Sequence, residues 1–108
     1  MVFSTSAALL EGVVLAVIER DAQGAYGYCI TRTVTAALGV SDSTLYPVLR
    51  RLQKEECLRI DDSECNGRLR RYYRLTKQGI ERLAQCRAEW RQYSQIMNGL
   101  FEERSDKT

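Results

Sequence analysis

The sequence predicts a mainly α-helical chain with one small β-hairpin. Three observations carry that prediction. Apolar residues recur at helical spacing in three segments ahead of residue 57. Asn66-Gly67, the strongest short hairpin signal, separates two runs of alternating apolar and polar residues. From Thr76 onward, Leu83, Cys86, Trp90, Tyr93, Met97 and Leu100 step by three and four, as in a heptad seam.

The first helix is read over about Ser6 to Arg20, on Leu9, Leu10, Val13, Val14, Val17 and Ile18. "DAQGAYG" breaks it with two glycines. A shorter helix is expected from about Tyr28 to Leu38, ended by Gly39 as a C′ residue. Ser41 or Ser43 can cap the third helix, read over Asp42–Glu56 with Leu45, Val48, Leu49 and Leu52 as its apolar stripe. Leu58 and Ile60 then begin a half-buried strand, and "RLRRYYRL" returns after the Asn-Gly turn. In that return strand Arg70, Tyr72 and Arg74 share one face, and Tyr73 and Leu75 the other. A helix of about 25 residues, capped near Thr76, would reach past the rest of a small domain, so its seam needs a partner. The tail "ERSDKT" is expected to fray.

A chain of 108 residues fits one small domain. Its net charge of +2 is too weak to argue for nucleic acid, so the distribution matters more. Arg68, Arg70, Arg71, Arg74 and Lys77 fall in "NGRLRRYYRLTK" with no acidic residue among them, and such a patch can bind polyanions. The outgoing strand, "RIDDSE", is acidic and weakens it. "ALLEGVVLAVIERD" is broken by Glu11 and too short to span a bilayer, and no basic leader precedes it. A cytoplasmic protein without membrane contact is expected. Cys29, Cys57, Cys65 and Cys86 form no CxxC pair, and the chain has no histidine. Free thiols, no metal and no cofactor are the reading, with Cys65 near Arg68 a better thiolate candidate than Cys29. Without histidine, triad chemistry is excluded, and no phosphate-loop fingerprint is present, so no enzyme is expected.

The order helix, helix, helix, hairpin, helix is that of a winged helix-turn-helix followed by a C-terminal dimerisation helix. The division expected is residues 1–75 for the DNA-binding domain and 76–108 for the dimerisation helix and tail. With the third helix's apolar stripe turned inward, Ser43, Pro47, Arg50 and Lys54 face outward, flanked by Tyr46 and Gln53 on one side and Thr44 and Arg51 on the other. In helix-turn-helix readers this helix enters the major groove N-terminal end first. Arg50 and Lys54 suit phosphate or guanine, the hydroxyls suit phosphate oxygens, and Pro47 offers a flat surface to a thymine methyl. The hairpin tip, Asn66, Gly67 and Arg68 followed by Arg70, suits a neighbouring phosphate or minor groove.

"TLYPVLRRLQKEECL", then "NGRLRRYYRLTKQGIERL", then Trp90 in the last helix, together resemble the PadR family of bacterial transcriptional regulators. "AYGYCI" resembles the Gly-Tyr start of that family's second helix. The resemblance spans roughly residues 8 to 101, and the single C-terminal helix is similar to the shorter of the family's two size classes. It implies a homodimeric repressor on a pseudo-palindromic duplex DNA operator, dimerised through the C-terminal helices, with some members released by a small aromatic effector. By the resemblance, Thr44, Tyr46 and Pro47 fall in the recognition helix, and Gly67, Arg68, Arg70 and Tyr72 in the wing. Trp90 falls where some members stack a flat ligand, with Tyr93 beside it. The chain departs from the family at Tyr26, where many members have His, at Cys57, where Gly usually ends the recognition helix, and at Leu69, where Pro is common.

Trp90 keeps two readings, an effector platform or a large residue of the dimer seam. Tyr72 and Tyr73 are expected to divide labour, one packed under the wing and one exposed near DNA. The alternative function is a protein-interaction adaptor on the same scaffold that does not read DNA.

Overall fold

A computed structural model describes residues 6–21 and 24–103. Helix α1 is Ala7–Glu19, and the Ser6 hydroxyl caps it by accepting the Leu9 N–H at 3.2 Å. Strand β1, Ala25–Tyr26, leads straight into α2, Gly27–Leu38. Gly39 closes α2 in the left-handed region at φ 70°, donating to the Thr35 carbonyl, as its C′ placement predicts. Helix α3 is Asp42–Lys54, strands β2 and β3 are Leu58–Cys65 and Arg68–Leu75, and α4 is Lys77–Phe101. Mainly helical, with a winged helix-turn-helix order, is therefore the fold.

The sheet holds one strand more than the hairpin. β1 pairs antiparallel with β3, giving the order β1-β3-β2, with Ala25 opposite Tyr73 and Tyr26 opposite Tyr72. Two residues between glycines carry no alternation, so the sequence had no signal for β1. Asn66 and Gly67 both take positive φ, 52° and 75°, as a two-residue hairpin turn requires.

Leu10, Val14, Leu15 and Ile18 of α1, Ile30 and Val34 of α2, and Leu45, Leu49 and Leu52 of α3 share one core with Leu58, Tyr73 and Leu83. Tyr73 is buried beneath the wing while Tyr72 lies on the outer face, half-buried. Burial pushes the Tyr73 phenol up, against the pull of Arg71.

The end of α3 corrects one boundary and places a non-glycine residue in a left-handed turn. The helix stops at Lys54, with Glu55 as its cap, rather than at Glu56. The left-handed residue is Glu56, φ 64°, and not Cys57. Cys57 instead turns into the core, 1% exposed. Its carbonyl accepts the Thr76 N–H at 3.1 Å, and an added Cβ on Gly79 would collide with that oxygen. The chain needs its glycine at 79, where the start of α4 passes the Cys57 carbonyl, and the sharp turn falls on the exposed Glu56. The Thr76 hydroxyl bonds the Glu56 carbonyl and caps α4 by accepting the Gly79 N–H at 3.0 Å.

Ion pairs bind the helices at one edge. Glu11 accepts from Arg51 at 2.7 Å and from Arg82 at 3.5 Å, and Arg82 also pairs with Glu55. Arg51, read as a flank of the outward face of α3, is thus turned to α1. Helix α4 spans about 37 Å and projects from the body. The radius of gyration is 16.8 Å, against about 13 Å for a compact chain of about 100 residues. No helix among the described residues is long and apolar enough to cross a membrane. The tail beyond residue 103 lies outside the described residues.

Candidate nucleic-acid interface

The site is built on α3. Its buried stripe, Leu45, Val48, Leu49 and Leu52, seats the helix on the core. That leaves Ser43, Thr44, Tyr46, Pro47, Arg50 and Lys54 exposed along the opposite face. Pro47 sits inside the helix, so the Ser43 carbonyl lacks its i+4 donor and remains an acceptor on the outer surface. Ser41 occupies the N-cap position but makes no side-chain cap. Its hydroxyl pairs instead with those of Ser43 at 2.9 Å and Thr44 at 3.2 Å. Three linked hydroxyls therefore crowd the leading end of α3, where backbone N–H groups give a positive pole.

The wing sorts its arginines by strand register. Asp61 takes Arg74 at 3.1 Å and Arg59 at 3.7 Å, and Asp62 takes Arg71 at 3.3 Å. Asp61 and Asp62 are thus consumed by three arginines at the base and middle of the sheet, while Glu64, opposite Leu69, forms no ion pair among the described residues. Arg68 at the tip and Arg70 form no ion pair among the described residues, and neither do Arg50 and Lys54. Asn66, Gly67 and Arg68 are exposed at the turn, and Leu69 beside them is 74% exposed.

Arg70 is not a free arm. Its guanidinium lies over the Tyr26 ring, 4.9 Å from the centroid, and its Nε is buried without a hydrogen-bond partner among the described residues. Tyr26 in turn packs against Tyr72 at 5.8 Å and Tyr28 at 6.2 Å. On α2, Arg32 lies over the Tyr28 ring at 5.8 Å. Tyr28 and Arg32 line a groove of about 610 Å³ with Thr35, Ser41, Asp42 and Ser43. None of Tyr26, Tyr28 and Arg32 is among the DNA-binding residues expected from the sequence. The four-residue spacing of Tyr28 and Arg32, which puts an aromatic and a cation on one helix face, was the available signal.

The C-terminal candidates separate. Leu83 is 1% exposed within the single chain, and Cys86 packs so closely on α1 that an added Cβ at Gly12 would collide with its sulfur. Leu83 therefore has no surface left for a seam with another chain, and Cys86 is largely covered by α1. Trp90, Tyr93 and Leu100 are 49%, 57% and 75% exposed, Met97 is half-buried, and the Trp90 and Tyr93 rings lie 6.3 Å apart. Cys29 is exposed, Cys57 is buried and Cys86 partly so. Burial pushes the thiols of Cys57 and Cys86 up. Of Cys65 the side chain lies outside the described residues. No cluster of metal-ligating side chains occurs among the described residues.

Comparison with known proteins agrees with this geometry. The model of the transcriptional regulator PadR-like family matches residues 14–85. The crystal structure of smu.1704 from Streptococcus mutans is 34% identical, with a TM-score of 0.86 and all of both chains covered. A PadR-like transcriptional regulator from Bacillus cereus is 29% identical, with a TM-score of 0.79 over 89% of this chain and 94% of that one. An uncharacterised protein of Lysinibacillus sphaericus is 31% identical over 87% of this chain and 88% of its own length. With the family model matching residues 14–85 on a winged-helix frame, the chain belongs to the PadR-like family of transcriptional regulators, and DNA-binding regulation is its class of function.

Proposed function

We propose that the protein is a dimeric repressor that reads a pseudo-palindromic operator with α3 in the major groove and the wing on the flanking backbone. The observation that supports this best is the pairing of charges on α3 and β3. Among the described residues Arg50, Lys54, Arg68 and Arg70, on exposed or outward faces, have no carboxylate partner, while Arg51, Arg71 and Arg74 are tied into the fold. Ser43, Thr44 and Tyr46 would bond phosphate, and Pro47 and Arg50 lie where base edges pass. A gel shift on the DNA upstream of the protein's own gene tests the reading. Arg50→Ala should weaken binding by about 1–3 kcal/mol and relax sequence preference. If Arg50→Ala and Arg68→Ala both bind like the parent, the roles of helix and wing are wrong, and if the parent gives no salt-dependent shift the adaptor reading takes the place of DNA binding.

The second copy would dock on the far half of α4, where Trp90, Tyr93, Ile96, Leu100 and Phe101 are each about half exposed or more. Monomers rarely leave so continuous an apolar stripe in water. On this reading residues 76–108 serve dimerisation and 1–75 bind DNA, with half-sites about 34–36 Å apart or a multiple of that. A flat aromatic effector would enter at Trp90 and Tyr93 and release the operator. Tryptophan fluorescence against phenolic acids and planar cations tests that step, and absence of quenching by all of them removes it.

A further inference from the structure

The aromatic contacts join four side chains from three elements into one stack, Arg70–Tyr26–Tyr28–Arg32, which runs from the wing to α2 at spacings of 4.9, 6.2 and 5.8 Å. Tyr72, opposite Tyr26 in the sheet, supports it from the side. Neither arginine of the stack has an acidic partner among the described residues, although the strand neighbours of Arg70 do. A guanidinium stacked on a ring keeps its edge donors for an oxyanion, which a lysine ammonium in the same place would not orient. The Arg70 Nε is buried with no hydrogen-bond partner among the described residues, a cost of holding the guanidinium on the ring, so a phosphate would be met by its terminal N–H groups. The other end of the stack opens into the groove that leads to Ser41 and Ser43 at the front of α3. Asp42 lies in that groove and repels phosphate from its side, which leaves the Arg32 side for an anion.

We propose that this stack is a second phosphate-binding ridge beside the recognition helix. Arg70 and Arg32 each bind the backbone of one DNA strand, and Tyr26 and Tyr28 are positioning residues that hold the two guanidiniums at fixed separation. The ridge rests on the DNA-binding reading and extends it to α2. It also accounts for Tyr26, whose ring is wide enough to carry Arg70 on one side while touching Tyr28 and Tyr72.

The experiment is binding of a labelled mixed-sequence duplex of about 30 base pairs, titrated between about 50 and 200 mM salt, with thermal melts confirming that each variant is folded. The slope of log affinity against log salt counts phosphates neutralised, so a purely structural role does not move it. Arg70→Gln and Arg32→Gln should each reduce the slope by about 1. Tyr26→Leu, which changes no charge, should reduce it as Arg70→Gln does, and Tyr26→Phe should keep the parent slope. The double variant Tyr26→Leu/Arg70→Gln should be no worse than Arg70→Gln alone, because both remove one contact. Tyr28→Leu, at a 56% exposed site that folding tolerates, should match Arg32→Gln. A parent slope in both tyrosine-to-leucine variants, or additive losses in the double variant, overturns the ridge while leaving DNA binding intact. A parent protein with no salt-dependent binding overturns the DNA-binding reading, and the ridge with it.

Discussion

The two halves of α4 carry one apolar stripe and meet opposite fates. In the first half, Gly79 and Leu83 are buried and Cys86 partly so, against Cys57 and α1 of the same chain. In the second half, Trp90, Tyr93 and Leu100 continue the stripe into solvent. Spacing by three and four states that a helix face must be covered, and it does not state by what. The change of cover falls where α4 leaves the body, just beyond the Arg87–Glu19 pair at 2.8 Å. Up to that point α1 runs alongside. Past it the stripe has no cover among the described residues.

The largest contrast is expected at Leu83. Leu83→Ala should cost about 2–5 kcal/mol in denaturant unfolding, because a packed core leaves a cavity. Leu100→Ala, on the same stripe, should change dilute-monomer stability by less than about 0.5 kcal/mol. Equal losses at the two sites would show that both halves are covered within one chain.

Leu100→Arg probes the exposed half directly. A charge set into the centre of an apolar contact should cost association about 2 kcal/mol or more. Sedimentation should then find monomer at concentrations where the parent is dimeric, with the melting of each chain's own core unchanged. If the parent itself sediments as a monomer at every concentration, the exposed half has no second copy as its cover.

The tight glycines give a smaller, graded effect. Gly79→Ala drives a Cβ against the Cys57 carbonyl, a backbone atom that cannot yield, and should cost about 1–3 kcal/mol. Gly12→Ala meets only the Cys86 side chain. It should cost less, and Cys86→Ala should restore most of the loss in a double-variant cycle.

The thiols give the smallest effect. Burial raises the Cys57 thiol above its ordinary value of 9.0, with Arg82 pulling the other way. A proton held more tightly in the fold gives stability that is complete below the unfolded value and lost as pH rises through it toward the folded one. Unfolding free energy should therefore sag above about pH 9, and Cys57→Ala should flatten the part of that slope due to this thiol. Cys29, exposed on α2, should react with a thiol reagent in the native state, and Cys57 only on unfolding.

Much of this was open to a reader of the sequence. The apolar stripe of α3, Gly39, Asn66-Gly67 and Thr76 each specify a local event, a buried face, a stop, a turn or a cap, and each occurs as read, whereas α1 also buries Leu15 and leaves Leu9, Val13 and Val17 half-buried. Local sequence was enough there because the physics acts over three or four residues. Other features depend on residues far apart in the chain. β1 exists only because β3 offers it a partner. The left-handed turn after α3 falls on Glu56, and the Cys57 carbonyl beyond it is set against Gly79 of α4, twenty-two residues on. The wing's charge was legible as a count of arginines. Which of them remained unpaired was settled by antiparallel register, which set Asp61 and Asp62 beside Arg74 and Arg71.

The order of residues alone dictates where the helices and the hairpin lie, which face of α3 is turned inward, and that a stripe on α4 requires cover. It took the assembled fold to settle which cations are spent on internal pairs, that Arg70 rests on Tyr26, and where along α4 the chain's own cover ends. The physical reason is range. Periodicity and turn chemistry are written into neighbouring residues, whereas ion pairing, ring stacking and burial depend on which distant segments the completed fold brings together.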